Sequence, residues 1–522
     1  MGVSTGVVAQ VGHAPGPGRP ETALDEDATR YLCTAAQLDE GYGRALIRHL
    51  LVREDRQPPV SEGVDLATVV RHAVAARSRR LYRDGAIAVV VVVATALGGW
   101  SVPSLLGWLA AVVLAVRALR PTETPAGRRS RAEAADPARA ERPRAAAQAA
   151  LFALVVVGIL LVALFLTRAD PFGLRSTVHI SPPANGGARL RRVAAPLAAA
   201  LGCWIAVFAE ELAARAVIAD RLAPGRFAPG RWLSAEPAWA QHALGVLGAR
   251  LAAAKAVRPP LAASDEPFLG AGRQALRRRW LIDLGPAASR SAPFDTEDVL
   301  DRACEVLTEG LGPLDPGGPA LVLVDDYPVA AGPALATRGE GEVPVRLLPV
   351  PAAPARGHAS ARRFRRVRVT RGAAGLTVTV FVGATAGNGL LQVELYGYVL
   401  SPVANRYRLA DRLGPWGWES VGASAARAAR RTPGRILAAP AGIWRTIVDP
   451  LIRRHCGAVA RKAAEHGTEL DAGARFDPRA AVGAMVGEDF FADEDANLYL
   501  AVVERRVRSE LRHLLPPGHA DF

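Results

Sequence analysis

The sequence predicts an α-helical membrane region, built from a short hydrophobic hairpin and two further helices, followed by a soluble α+β region with a small antiparallel sheet. Three observations predict it. Uncharged apolar runs recur between residues 85 and 209, and clusters of arginine flank them. Residues 366–399 then alternate apolar and polar side chains at the period of a β-strand.

Residues 1–28 read as a disordered tail. Gly and Pro run through Pro20 and acids follow at Asp25, Glu26 and Asp27, where a signal peptide would carry a basic start and an apolar stretch. Residues 29–84 read as a small helical cytoplasmic domain. Leu38, Leu46, Ile47, Leu50 and Leu51 recur at helical spacing, and Pro58, Pro59, Ser61 and Gly63 mark a turn. Asp65 is placed to cap a second helix carrying Leu66, Val69, Val70 and Val74.

Residues 85–210 form the membrane region. No charge falls between Gly85 and Val116, a stretch of 32 residues that as one helix would be roughly 48 Å long, against a hydrocarbon core of about 30 Å. Gly98, Gly99 and Pro103 divide it into two short helices, Ala86–Leu97 and Leu105–Val116, which predicts a hairpin. Arginines on both sides, Arg71 to Arg83 and the Arg-rich loop 117–144, place both ends of that hairpin in the cytoplasm. Ala145–Thr167 has the length of a full crossing. Val193–Ala209 is a shorter, Ala-rich segment that stops at Glu210 and Glu211. Four segments leave the chain multi-pass in the cell membrane, with the N-terminus and the C-terminal region cytoplasmic. The wide separation of Cys33, Cys203, Cys304 and Cys456 agrees with a reducing compartment.

Beyond the membrane region, 211–309 reads as mostly helical: the helix continues through Ala213, Val217 and Leu222 and ends at a tandem repeat, APGRF then APGRW, at residues 223–232. Residues 310–359 read as a Pro/Gly-rich segment with one strand, Ala320–Val324. Residues 360–402 read as an antiparallel meander. Val367 and Val369 alternate with Arg366 and Arg368, then Leu376, Val378, Val380 and Val382 with threonines, then Leu391, Val393, Leu395 and Val399. Asn388-Gly389 is a hairpin-turn dipeptide. Residues 403–522 read as helical, over about Val421–Arg431, Pro440–His466 and Glu494–Leu515.

Composition narrows the chemistry. Lys255 and Lys462 are the two lysines among 64 basic residues, so 62 are arginine, and the net charge is +14. That charge suits anionic lipid or nucleic acid, and hydrophobic segments flanked by arginine favour lipid. Neither lysine follows a glycine-rich phosphate loop, which excludes the usual ATPase motif. The cysteines form no C-x-x-C pair and the histidines no H-E-x-x-H, so no zinc site is predicted.

The remaining motif matches are partial. Asp493, Asp495, Asn497 and Glu504 fall at calcium-loop positions, yet Leu498 stands where such a loop needs glycine. GVSTG at residues 2–6 has the letters of a serine-hydrolase elbow without its strand and helix. GAGRQA at residues 270–275 reads as a loop entering a helix. The hydrophobic segments carry no Asp, Glu, Lys, Arg or His to mark an ion path. No catalytic residue, metal site or cofactor is predicted.

Two features remain. Arg362, Arg363, Arg365, Arg366 and Arg368 form a basic run on the first meander strand, a candidate surface for anionic lipid headgroups, an acidic protein or nucleic acid, with Arg366 and Arg368 on one face and the other three nearby. Asp325 and Asp326, at the end of LVLVDDY, are an acidic pair of the kind a strand delivers to a cation.

RYLCTAAQLDEGYGRALIRHLL and DLATVVRHAVAARSRRLYRD before the hairpin, the RRVRVTR and LTVTVFV strands, and YLAVVERRVRSELRHLL near the end give the chain its layout. That layout resembles multi-pass membrane proteins of high-GC actinobacteria, a family whose resemblance implies no catalytic role. The expectation is therefore a non-enzymatic interaction or scaffold protein that contacts the bilayer, anionic headgroups or a protein partner. The alternatives are a membrane-associated enzyme acting on a phosphate-bearing lipid, with Asp325 and Asp326 beside arginine clamps, and a transporter subunit.

Overall fold

The computed structural model describes residues 21–59, 63–98, 186–228, 238–256, 261–262, 266–283, 296–311, 321–331, 334–339, 345–349, 361–371, 375–387, 390–413, 418–485 and 488–514. The expected segments Leu105–Val116 and Ala145–Thr167, the loop 117–144 and the Asn388-Gly389 turn lie outside the described residues. The chain divides into two compact units. One holds Met1–Arg77, Val217–Gly414 and Asp449–Phe522; the other holds Ser78–Ala216 and Pro415–Val448.

In the larger unit, α1 (Glu21–Leu38) and α2 (Glu40–Leu46) lead into a π-helical turn, Ile47–Val52. The Asp39 carboxylate accepts the Tyr42 N–H at 3.1 Å, capping α2. Asp65 accepts from the N–H groups of Ala67 and Thr68, the predicted cap of α3 (Leu66–Gly98). Leu32, Leu46, Leu50, Val69 and Val70 are buried together with Leu247, from the helix Ala238–Ala256, so the helical periodicity read from the sequence faces a common core.

The predicted apolar segment Ala86–Leu97 is not a separate helix, because α3 runs unbroken from Leu66 to Gly98. Gly85, which lies inside it, costs only about 1 kcal/mol against alanine and carries no turn. Val193–Ala209 is the middle of α4 (Gly186–Arg221), and the predicted continuation of that helix past Glu210 and Glu211 toward the tandem repeat is present. Within it, Ala194–Arg221 is the one helix among the described residues long and apolar enough to cross a membrane. The helix Ala238–Ala256 that follows is α5.

Six strands make the main sheet: β1 (Leu261–Ala262), β2 (Arg273–Asp283), β3 (Leu321–Ala331), β6 (Ala361–Arg371), β7 (Leu376–Gly387) and β8 (Leu390–Leu400). Their spatial order is β1-β3-β6-β7-β8-β2. Five strands are antiparallel to their neighbours, and β1 adds a short parallel pairing to the end of β3. The predicted meander is β6–β7–β8, and the register pairs Gly387 with Leu390 across the hairpin. A second sheet joins β4 (Ala334–Arg338), β5 (Val345–Pro349) and β9 (Glu469–Leu470).

Three expectations change here. Among the described residues, 310–359 carries three strands where the sequence predicts one, and β3 extends through the two aspartates and Pro328 to Ala331. Proline is tolerated because, among the described residues, β3 has no partner on its outer side until Ala330. GAGRQA leads into β2 and not into a helix. Gly270 and Gly272 have φ of 99° and 98°, and a Cβ on Gly272 would collide with the Leu400 backbone.

One face of the sheet packs under α6 (Thr296–Leu311) and α9 (Phe490–Leu514). Val367, Val378, Val380, Val382, Leu391, Leu395 and Trp280 meet Leu307, Leu500 and Val503 there. Gly397 lets α9 approach, since a Cβ would lie 2.5 Å from a Leu500 methyl. The motif at 493–504 is helical throughout, and its Glu504 pairs with Arg278 and Arg508 at 2.8 Å each. Between the sheet and α9, the chain forms the short α7 (Leu409–Arg412) and α8 (Trp418–His466), one helix where the sequence predicts two.

Candidate functional site

The period of two in β6 splits the arginine run between two faces of the sheet. Val367 and Val369 point under α6 and α9, so Arg363 and Arg365 share that face, while Arg362, Phe364, Arg366 and Arg368 share the other. The expected single basic surface is therefore two separate groups.

The acidic pair explains their arrangement. Antiparallel register sets Asp325 opposite Arg366 and Asp326 opposite Arg365. Arg366 donates to both oxygens of Asp325, at 2.8 and 2.6 Å, and its guanidinium lies 4.8 Å from the Tyr327 ring. Arg365 bonds Asp326, and reaches Asp301 of α6 at 2.7 Å and Glu297 at 3.1 Å. Arg363 contacts Glu297 at 3.1 Å. Directly opposed charges of opposite sign stabilise a strand pair. Asp325 and Asp326 thus serve the β3–β6 ladder, in mid-strand and not at a strand end.

Behind Arg365 sits Cys304, whose thiol burial pushes up to about 12. It is a neutral packing group. Among the described residues no group of three or more His, Cys, Asp or Glu is placed to hold a metal ion.

The face away from α6 and α9 holds what sequence reasoning misses. Phe268, from the turn before β2, stacks on Phe381 at 4.2 Å and meets Phe364 edge-on at 5.0 Å. Tyr396 and Tyr398 complete the group at 5.3 and 5.5 Å. Phe364 lies over Gly383, where a Cβ would come within 2.6 Å of its ring. Burial pushes the Tyr398 hydroxyl up to about 12, so it remains a neutral donor.

Beside these rings Glu394 is buried and accepts from Gln392 at 2.6 Å and Arg362 at 3.2 Å. Arg279 of β2 approaches the same carboxylate at 3.6 Å and donates to the Tyr396 hydroxyl at 3.2 Å. Arg279 and Arg362 keep 51% and 60% of their side-chain surface exposed. A buried carboxylate and a phenol therefore orient two solvent-facing guanidiniums above an aromatic floor. Such an arrangement can recognise a carboxylate or phosphate group, because each guanidinium has five N–H donors and only some of them are engaged here. Arg277, also exposed, lies on the same face of β2 by the strand period.

Residues 269–521 match the family model described as the AbeC-like domain, from the turn before β2 through the end of α9. No curated protein and no solved structure matches the chain.

Proposed function

We propose that this chain, with its AbeC-like domain, is a membrane-anchored, non-enzymatic interaction protein whose α+β region binds an acidic protein partner through the face carrying Arg279 and Arg362. The observation behind the reading is the Glu394 network: two exposed guanidiniums held by a buried acceptor and an aromatic floor. Such donors lose little freedom on binding, so their gain is not cancelled by ordering. The membrane anchor is the apolar part of α4 before Glu210, within the candidate span Ala194–Arg221, whose most apolar window is only 28% buried within the chain.

The lipid-enzyme alternative depends on Asp325 and Asp326 as free carboxylates, and both are engaged by cross-strand arginines. The test is crosslinking in cells before detergent extraction, comparing the native chain with Arg279→Glu/Arg362→Glu. The reading expects a reproducible acidic partner that the double charge reversal releases, while Arg363→Glu on the opposite face retains it. Equal recovery from both variants, or recovery of the chain alone, would reject it.

A further inference from the structure

The smaller unit carries a second arginine cluster. Among the described residues its helices are the second half of α3, most of α4 and the first half of α8. The first two pack antiparallel. Val90 fills the space over Gly202, Ala94 packs near Ala199, and Arg83 meets Glu210 at 3.4 Å. This pairing sets out a polarity along the unit: an apolar stretch on one side, a charged layer on the other.

On the apolar side, large side chains face outward. Val89, Val92, Val93 and Leu97 of α3 and Leu197, Leu201 and Ile205 of α4 are each at least half exposed. The charged layer begins one turn beyond, at Asp84 and at Glu210 and Glu211, and α8 packs against it. Ala428, Ile436 and Ala439 join the core of Ile87, Cys203 and Val207, and Trp204 donates to the Ala425 carbonyl at 3.2 Å. Further along this half of α8, Trp444 and Ile447 are exposed, three residues apart on one side of the helix. Tryptophan beside arginines is the pattern of a helix at a membrane–water interface.

Within that layer three guanidiniums converge on one carboxylate. Glu211 is buried and is met by Arg431 at 2.8 Å, Arg427 at 3.2 Å and Arg215 at 3.8 Å. Arg427 is steadied by the Ser424 hydroxyl at 3.2 Å, and Arg215 by the Ser420 carbonyl at 3.4 Å. Buried Arg215 Nε makes no hydrogen bond among the described residues. Arg427 and Arg431 remain partly open to solvent. One carboxylate balances only one of three charges, so among the described residues the cluster keeps two positive charges at the boundary of an outward-facing apolar surface.

We infer that Arg215, Arg427 and Arg431 form a binding site for the phosphate headgroup of an anionic phospholipid, whose chains lie along the apolar belt of α3 and α4. Glu211 holds the guanidiniums in place, and the open faces of Arg427 and Arg431 take the phosphate. The inference rests on the reading of α4 as a membrane anchor and adds the lipid class and the residues that select it.

The test uses the full chain reconstituted from detergent into vesicles of phosphatidylcholine alone or mixed with phosphatidylglycerol. Native mass spectrometry then measures the phospholipid retained after extraction. The native chain should retain phosphatidylglycerol in preference to phosphatidylcholine, and Arg427→Gln/Arg431→Gln should lose that preference by roughly fivefold for each arginine neutralised. Arg427→Lys/Arg431→Lys, which keeps the charge, should retain most of it, separating loss of the site from loss of the fold. Equal retention of the two lipids by an inserted native chain overturns the inference and leaves the anchor standing. So does displacement of the lipid by inorganic phosphate alone, which would make the cluster a plain anion site. Failure to insert into phosphatidylcholine vesicles overturns the anchor itself, and the inference with it.

Discussion

Breaking the Asp325–Arg366 pair should cost far more than breaking its neighbour on the other face. Arg366 is 8% exposed and donates twice to Asp325, whereas Arg363 and Glu297 keep 67% and 40% of their side chains exposed. Replacing Asp325 by Asn leaves a covered guanidinium facing a neutral amide, a change worth about 3 kcal/mol. Replacing Arg363 by Gln removes two exposed ion contacts, with Glu297 at 3.1 Å and Asp326 at 3.7 Å, each worth less than about 1 kcal/mol. Because the chain has two units, a single global unfolding curve would mix them, so the assay is hydrogen exchange read on peptides from β3 and β6. Asp325→Asn should speed exchange there by roughly a hundredfold, following the tenfold change per 1.4 kcal/mol. Arg363→Gln should change it by less than about thirtyfold. In a cycle with Arg366→Met, the double variant should recover much of the loss, because the covered guanidinium is gone together with the carboxylate it faced. Comparable effects at the two sites, or a double variant as weak as the sum of the singles, would refute the argument that burial sets the strength of these pairs.

Other consequences can be checked alongside. Gly397→Ala should destabilise the sheet by about 1–3 kcal/mol, since its methyl must displace Leu500 and Leu276, and faster exchange in α9 would report it. Gly442→Ala places a methyl on the Asp84 carboxylate within the smaller unit, and should lower the thermal midpoint of the detergent-solubilised chain; an unchanged midpoint would mean the two helices slide apart at no cost. Asp477 titrates in a defined direction. Burial raises its carboxyl above the usual value even though the N–H groups of Arg479 and Ala480 bond it. A raised carboxyl favours the fold while protonated, and that contribution is lost as pH rises through the folded value. Asp477→Asn, which can still cap those amides, should therefore match or exceed the native chain in stability at neutral pH. The difference should close as pH falls into the carboxylate range, and a constant deficit at every pH would contradict it.

The meander is legible in the sequence because Val367 and Val369 of β6, Leu376 to Val382 of β7 and Leu391 to Leu395 of β8 place an apolar residue at every second position, so the covered face follows from local order. β2 is hidden by Arg277, Arg278 and Arg279, three successive charges that mask the apolar positions Leu276, Trp280 and Ile282. β3 looks finished at Val324 because two acids and a proline read as a turn. Their partners Arg366 and Arg365 lie about forty residues away, and only pairing across that distance makes mid-strand aspartates favourable. The split of the arginines between two faces can be read from period two alone, but their carboxylate partners cannot. Glu394 and the rings around it come from separated stretches of chain, and no local pattern joins them. In the helices the error has the opposite sign. Pro433 and Pro440 suggest a break in α8, and Gly85 a boundary in α3, where packing carries the helix through both.

The two outer strands of the main sheet have a bearing on the company the protein can keep. A free strand edge is a template on which another chain can build, and among the described residues neither β2 nor β3 before Ala330 has a partner on its outer side. Here β2 carries Arg273, Arg277, Arg278 and Arg279, so a second β2 would approach against like charge. On the other flank β3 presents Pro328, which has no N–H to offer, and β1 occupies the last two residues. The arginines that obscure β2 in the sequence thus also guard against self-templated growth, and a variant with those side chains made neutral should be harder to keep dispersed than to fold.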